Sequence, residues 1–194
     1  MKNLFLFLLF SYVLFSSTSN ASEIEGIVSS QSKKLENAVV YIKKIESKKF
    51  LPPKKPVVLY QTGLRFVPHV LPVIVGTTVN FPNEDDVLHN VFSPGHINRF
   101  NLGTYLQGSN KAVKFNKPGV ALLLCNIHHE MSAFVVVVET PYFAVTDSNG
   151  NYRISNVPPG KYSLSVWHEE MKPQIKEIKT SDKGIITINF MMKK

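Results

Sequence analysis

Apolar and polar residues alternate along much of the chain, and a period of two predicts β-strands. The alternation is clear in "VIVGTTVNF" (residues 73–81), in "KAVKF" (residues 111–115) and in "YRISNV" (residues 152–157). The continuous β-branched run "AFVVVV" (residues 133–138) predicts a strand that is buried on both faces. No stretch keeps the 3.6-residue period of an amphipathic helix, so the pattern predicts an all-β protein.

Turn signals separate these strands at regular intervals. "SNGN" (residues 148–151) predicts a hairpin, and "VPPGKY" (residues 157–162) predicts a tight turn. Short strands with regular turns are typical of β-sandwiches. Once a leader of some twenty residues is set aside, about 170 of the 194 residues remain, which is enough for one large or two small domains.

The first residues have the layout of a secretory signal peptide. Lys2 is followed by the apolar run 4–15 and by small residues up to Ala21, which predicts a signal peptide over residues 1–21 and a periplasmic protein. The apolar run is too short for a spanning helix, and no later run is longer than a strand, so we expect no membrane span after cleavage. Removing Lys2 lowers the net charge from +8 to +7, and export argues against nucleic acid as the partner of this basic chain.

Much of the positive charge lies in the Lys/Pro segment, "KKIESKKFLPPKKP" (residues 43–56). Charge runs with proline rarely pack, so a solvated loop over residues 46–56 is the simplest interpretation. The alternative is a surface that docks an acidic partner protein or anionic lipid.

Cys125 is the only cysteine of the chain, and it stands in "LLLCNIHHEM" (residues 122–131). A single cysteine cannot form an internal disulfide, and an exposed free thiol is a liability in an exported protein. Cys125 is therefore a buried inert thiol, a thiol paired between molecules, or a metal ligand.

Candidate ligands surround this cysteine in an ordered series. His89 and Asn90 follow an acidic turn, and Cys125 is followed by His128 and Met131, each after two intervening residues. Two imidazoles, a thiolate and a weak axial thioether are the ligand set of a blue-copper electron-transfer centre. Thiolate and thioether stabilise Cu(I), while imidazole accepts both oxidation states, so this set suits one-electron transfer.

Three other interpretations of the same residues stay open from the sequence. A zinc site would use His89, Cys125 and His128 with His129, although structural zinc favours more cysteines. A catalytic Cys125–His128 dyad would need a residue that orients the base, and no such arrangement is recognisable. An inert core thiol is a common fate for a lone cysteine.

The remaining histidines have weaker claims to a metal. We expect His129 to point to solvent beside the site, His69 to be structural or on the surface, and His96 to lie in a loop. His168 lies outside the segment that holds the candidate ligands. "DSNG" (residues 147–150) lacks the spacing of a calcium loop and is predicted to be a turn.

Residues 57–140 resemble a cupredoxin of the plastocyanin/azurin family. "LRFVPHVLPVIVGTTVNFPNEDDVLHNVF" resembles the opening strands of that family, and "NKPGVALLLCNIHHEM" resembles its closing strand and ligand loop. The short ligand loop is most similar to that of amicyanin, which works in methylamine oxidation. The resemblance implies a Greek-key β-sandwich that binds one type 1 copper through His89, Cys125, His128 and Met131.

The same resemblance implies roles for two individual residues. In the family, an asparagine after the first ligand ties the two ligand loops together by hydrogen bonds, and Asn90 occupies that position. The loop histidine, here His128, is the usual port for electrons.

The ends of the chain resemble a second family. "YFAVTDSNGNYRISNVPPGKYSLSVWHE" is similar to the carboxypeptidase regulatory-like, or transthyretin-like, β-sandwich, whose opening strands would be "EGIVSSQSKKLENAVVYI". We therefore predict a smaller discontinuous domain from residues 22–45 and 141–194, with the cupredoxin inserted into it. Pairing of Ile27 or Val39 with strands of the cupredoxin segment instead would contradict this hypothesis. The alternative is that the N-terminal strands extend the cupredoxin sheet.

The sequence thus predicts a protein that carries single electrons and is not an enzyme. Expected partners are redox proteins, such as a c-type cytochrome or a dehydrogenase, with an acidic docking face for the lysines. The alternatives are a protein that stores or delivers copper without redox turnover, and a structural module whose metal site is vestigial.

Overall fold

The computed structural model describes residues 21–194, so that the predicted signal peptide over residues 1–21 lies outside the described residues except for Ala21. The described chain forms eighteen β-strands and no helix, which confirms the all-β prediction. None of its elements is therefore a helix long and apolar enough to cross a membrane.

The strands follow one another closely along the chain. The first nine are β1 (Ser22–Ser29), β2 (Val39–Ile42), β3 (Val57–Val58), β4 (Tyr60–Gln61), β5 (Phe66–Val67), β6 (Val70–Ile74), β7 (Thr77–Pro82), β8 (His89–Ser93) and β9 (Phe100–Tyr105). The last nine are β10 (Asn110–Phe115), β11 (Gly119–Leu124), β12 (Ser132–Val138), β13 (Phe143–Val145), β14 (Asn151–Val157), β15 (Gly160–His168), β16 (Met171–Thr180), β17 (Ile185–Thr187) and β18 (Phe190–Met191).

Strands β3 to β12 build one β-sandwich. One sheet has the order β10-β7-β3, the other has the order β6-β12-β11-β8-β9, and β4 and β5 form a separate two-stranded ribbon. Alternate residues of β7 are buried, as the period-two pattern requires. Strand β12 lies between β6 and β11 and is buried on both faces over most of its length, which agrees with its continuous β-branched sequence.

The remaining strands build a second, smaller sandwich. One sheet has the order β14-β1-β17, with β18 also paired to β1, and the other has the order β13-β2-β15-β16. Ile27 lies opposite Asn151, and Val39 lies opposite Val145 and Trp167. The N-terminal strands thus pair with C-terminal ones, as the insertion hypothesis requires, and the domain boundaries themselves stay a prediction.

The two ends of the intervening segment lie side by side. The Ile42 amide donates a hydrogen bond of 2.9 Å to the Tyr142 carbonyl, and the Thr140 hydroxyl donates one of 2.7 Å to the Ile42 carbonyl. The chain therefore leaves and re-enters the smaller sandwich at one place. If the intervening segment were removed, a short linker could join the two ends.

Excision of the inserted segment is therefore expected to leave a folded protein. In a chain where a Gly/Ser linker replaces residues 44–139, the core of the smaller sandwich remains complete, because its buried residues all lie outside that range except for the flanking Ile45. We expect a β-type circular dichroism spectrum and cooperative urea unfolding. Residues 57–140 expressed alone are the complementary control. A non-cooperative transition of the excised chain would contradict the discontinuous domain.

The two sandwiches share an apolar contact. Val39 of the smaller sandwich is buried with Val70, Val136 and Val138 of the larger one. Around this cluster, the Trp167 ring packs on Phe134 with a centroid distance of 5.2 Å. Apolar packing of this kind holds the two sandwiches together, in addition to the two places where the chain passes from one sandwich to the other.

Two local predictions were wrong. "VIVGTTVNF" is not one alternating strand, because the chain turns at Gly76, where φ is +91°, and divides the segment between β6 and β7. "SNGN" does not close a hairpin, because β13 pairs with β2 while β14 pairs with β1 in the other sheet. The turn is instead held by the Asp147 carboxylate, which accepts hydrogen bonds from the amides of Asn149 and Asn151.

The Lys/Pro segment lies at one end of the larger sandwich. Its six lysines are exposed, and part of it lines a cavity with Val75, Pro118 and Glu139. Glu139 directly follows the last residue of β12, whereas Met131 directly precedes the first. At about 3.3 Å per residue, the length of β12 separates the two ends by about 20 Å.

Candidate metal centre

Three side chains from one loop and one strand end come together at one end of the larger sandwich. His89 begins β8, Cys125 follows β11, and His128 lies in the ligand loop (residues 125–131) that joins β11 to β12. Their donor atoms all lie within 4.8 Å of one another, and this is the one such group of three found in residues 21–194. His89 and Cys125 are buried, while His128 is half-buried.

The orientation of His89 follows from a carboxylate. Its Nε2 lies 2.8 Å from Oδ2 of Asp85. A carboxylate only accepts hydrogen bonds, so Nε2 carries the proton and Nδ1 presents a lone pair. This Nδ1 faces Nδ1 of His128 at 3.1 Å. Two lone pairs at this separation repel each other unless a proton or a metal cation lies between them.

Asp85 is itself held in place by backbone amides. Its carboxylate accepts hydrogen bonds from the amides of Gly63 at 2.6 Å and Leu64 at 2.9 Å, in a turn where both residues have positive φ. Burial raises the pKa of Asp85, but the hydrogen bonds from Leu64, His89 and Gly63 outweigh it and hold the pKa below its usual range. Asp85 is not among the site residues that the sequence predicts. Its signal was an aspartate four residues before a candidate ligand.

Replacing Asp85 with asparagine is expected to weaken metal binding. The asparagine side chain can take two orientations. If its oxygen faces His89, its NH2 group faces the backbone amides of the Gly63 turn, which are also donors. If its NH2 group faces His89, Nε2 must accept a hydrogen bond, and the imidazole proton moves to Nδ1. Loss of such an outer hydrogen-bond partner lowers metal affinity about 10- to 100-fold. A competition titration with a chromophoric copper chelator measures the change. Asp86→Asn, at an exposed neighbouring position, is the control, and equal affinities of the two variants would contradict the role of Asp85.

The Cys125 sulfur accepts two backbone hydrogen bonds. The amides of Asn90 and His128 each donate to Sγ at 3.5 Å, and a thiolate accepts such bonds more strongly than a thiol. The side chain of Asn90 instead donates to Oδ1 of Asn101 on β9, at 2.9 Å. In this structure the backbone of Asn90, and not its side chain, joins the two ligand loops.

The other candidate residues take the following places. Met131 is buried in the same core cluster as Cys125, and its amide donates to the His128 carbonyl at 3.0 Å, which closes the ligand loop. His129 is exposed and is not part of the donor cluster. His96 is exposed in the loop between β8 and β9, and His168 is buried in the smaller sandwich.

The donor set fits copper better than the alternatives. Two imidazole nitrogens and one thiolate, with a buried thioether beside them, match the preferences of a type 1 copper site. His129 lies outside the cluster, so the four-residue zinc set is not assembled. The Nδ1 atom of His128 contacts Nδ1 of His89 at 3.1 Å, and among the described residues the only hydrogen bond from His128 to the Cys125 sulfur comes from its backbone amide and not from its ring.

Comparison with known proteins identifies two kinds of relative. The sequence model of the carboxypeptidase regulatory-like domain family matches residues 131–193. That match begins before the boundary predicted at residue 141 and includes β12, which pairs with β6 and β11 of the larger sandwich. No curated protein sequence matches the chain.

Similar solved structures include a copper-containing nitrite reductase, an amicyanin and a purple cupredoxin. They include the copper-containing nitrite reductase from Thermus scotoductus SA-01 (28% identity, TM-score 0.42, 49% of this chain and 26% of the reductase). They also include the oxidized P94A mutant of amicyanin (22% identity, TM-score 0.41, 44% of this chain and 84% of the amicyanin). A third is the purple cupredoxin from Nitrosopumilus maritimus (25% identity, TM-score 0.38, 42% of this chain and 98% of the cupredoxin). Both predicted resemblances, to cupredoxins and to the regulatory-like domain, are thus matched by known proteins. Because all three TM-scores lie below 0.5, the ligands are assigned from the geometry of the side chains alone.

Proposed function

We propose that this chain is an exported type 1 copper protein that carries single electrons between redox proteins. The observation that carries the proposal is the convergence of His89, Cys125 and His128 within 4.8 Å, with the first histidine oriented by Asp85. Met131 is the fourth proposed ligand, because it is buried beside Cys125 at the end of the ligand loop. The proposal assigns no enzymatic reaction to the chain.

Burial of the site favours a carrier over a protein that hands its metal on. Bound copper would supply the one-electron couple, and the protein supplies a fixed set of donors for both oxidation states. His89, Cys125 and Met131 are at most 3% exposed. Side chains packed to this degree move little, so little reorganisation accompanies a change of oxidation state.

The surface around His128 is the proposed electron port. His128 is the one half-buried member of the donor cluster, and the apolar residues Val87, Leu88 and Ile127 next to the ligands in sequence are 38%, 46% and 39% exposed. Exposed apolar side chains around a half-buried ligand suit a transient contact with a redox protein, such as a c-type cytochrome or a dehydrogenase.

The Lys/Pro segment is less suited to that contact. It lies about 20 Å from the metal end, because the whole of β12 separates the two. An acidic face that docks on these lysines would approach the molecule at the end remote from His128. We therefore place the redox partner at the His128 surface and leave the lysines for other contacts. Export to the periplasm remains part of the proposal on the strength of residues 1–21.

Copper loading tests the proposal directly. The purified protein with one equivalent of Cu(II) is expected to show an intense thiolate-to-copper band and the narrow EPR splitting of a type 1 site. Reduction by ascorbate should bleach the band, and a ferric c-type cytochrome, added after the ascorbate is removed, should take up one electron per copper and restore the band on the stopped-flow timescale. A colourless complex would reject the blue site. A coloured complex that exchanges no electrons would instead assign the chain to copper storage or delivery, and absence of copper binding would indicate a structural module.

A further inference from the structure

His69 joins the two sandwiches next to the ligand loop. It directly precedes β6, and its Nε2 lies 2.8 Å from Oε1 of Glu169, in the turn between β15 and β16 of the smaller sandwich. Its Nδ1 lies 3.1 Å from the carbonyl oxygen of Ser132, the residue that follows Met131. One side chain therefore contacts the second sandwich and the exit of the ligand loop.

Both contacts require His69 to act as a donor. Carboxylate and carbonyl oxygens are acceptors, so each contact is a hydrogen bond only when the ring nitrogen carries a hydrogen. With a hydrogen on both nitrogens the ring binds Glu169 and Ser132 at once, and the bond to Glu169 is assisted by charge. The two contacts thus join Glu169 of the smaller sandwich to the Ser132 carbonyl through one imidazole ring.

Packing restrains the ring and its neighbours. The His69 carbonyl accepts a hydrogen bond of 2.8 Å from the Phe134 amide, and the two rings meet edge to face at 5.6 Å. Phe134 also packs on Trp167, which lies two residues before Glu169. The residues immediately after Met131 are therefore held by backbone pairing, by ring packing and by the bond to His69.

We propose that His69 and Glu169 are positioning residues through which the second sandwich fixes the exit of the metal-ligand loop. The inference rests on the proposed function in so far as it concerns copper, and it assigns a role to a sandwich that contributes no ligand. Loss of the link frees the Ser132 carbonyl and allows the adjoining Met131 to shift. The electronic properties of the bound copper then depend on contacts made in the other domain.

Three variants of the full chain test the proposal. Glu169→Ala removes the acceptor, and His69→Phe removes both donors but keeps a ring against Phe134. Glu170→Ala is the control, since this neighbouring carboxylate pairs with Lys33 at 3.6 Å and not with the larger sandwich. Glu169→Met retains much of the length of the side chain without an oxygen acceptor and serves where the alanine variant does not fold.

Hydrogen exchange of the metal-free protein is the first measurement. Amides of residues 126–134 are expected to exchange about threefold to tenfold faster in the Glu169 and His69 variants, because one hydrogen bond contributes modestly to local stability. The second measurement is made on the copper-loaded protein and consists of the visible and EPR spectra and the midpoint potential. The Glu169 and His69 variants should shift these properties in the same direction, and Glu170→Ala should leave them unchanged. Exchange rates and spectra equal to those of the control would overturn the proposal. Failure of the wild type to bind copper would reject the proposed function but leave the exchange test of the link intact.

Discussion

Replacing Cys125 with serine is expected to abolish the intense visible band of the copper-loaded protein. The band requires a thiolate sulfur bonded to Cu(II), and an alcohol oxygen is a harder ligand without that transition. The substitution changes one buried atom and leaves a small polar oxygen facing the amides of Asn90 and His128. We expect the metal-free variant to stay folded, so the loss reports on the metal.

Absorption spectra at equal copper concentration measure this effect, and circular dichroism checks the fold. His129→Gln is the control, because this exposed histidine lies beside His128 but outside the donor cluster. It should leave the band unchanged. A band that persists in Cys125→Ser would place the coloured metal elsewhere in the protein.

Replacing Phe81 with alanine is expected to destabilise the larger sandwich by about 3–5 kcal/mol, the usual cost of truncating a fully buried aromatic ring. Phe81 lies on β7 with no exposed surface, between the two sheets, and its ring centroid is 6.1 Å from that of Phe100. The change leaves a cavity that neighbouring rings fill only in part. Its effect on the free energy of unfolding should exceed that of any surface substitution.

Urea denaturation of the metal-free protein, followed by circular dichroism, measures this loss. Leu51→Ala is the control, because Leu51 is apolar but 83% exposed in the Lys/Pro segment, and its truncation should change stability by less than about 0.5 kcal/mol. Equal midpoints for the two variants would show that Phe81 does not lie in the core.

Much of the candidate site could be predicted because its signals are chemical and local. A lone cysteine in a chain predicted to be exported, with a histidine and a methionine at fixed spacing, restricts the ligand loop to a few interpretations. Its distant partner His89 was predicted from its place after an acidic turn, and the structure brings it to Cys125 and His128. Those residues lie in one cluster because β8 and β11 are neighbours in the same sheet.

The two wrong local predictions concern turns, where the local residue pattern does not specify which strands pair before and after the turn. The alternation of residues 73–81 continues through Gly76, yet positive φ at that glycine turns the chain between two sheets. Side chains on either side of the turn still alternate between core and surface, so periodicity alone does not reveal the break. The "SNGN" turn likewise has hairpin composition, but composition does not specify which strands pair after it.

By itself the sequence determined the all-β class and the resemblance of the chain's two ends to one family, and it supplied the predictions of export and of the four candidate ligands. Each of these depends on residue type, period or spacing, which are properties of neighbours along the chain. The tertiary structure decided what depends on distant contacts: the amides of Gly63 and Leu64 that hold Asp85 against His89, the Asn90 amide on the Cys125 sulfur, and the bond between His69 and Glu169, which are 100 residues apart. Such contacts are made only when separate strands pack, because neither partner has a local pattern that identifies the other.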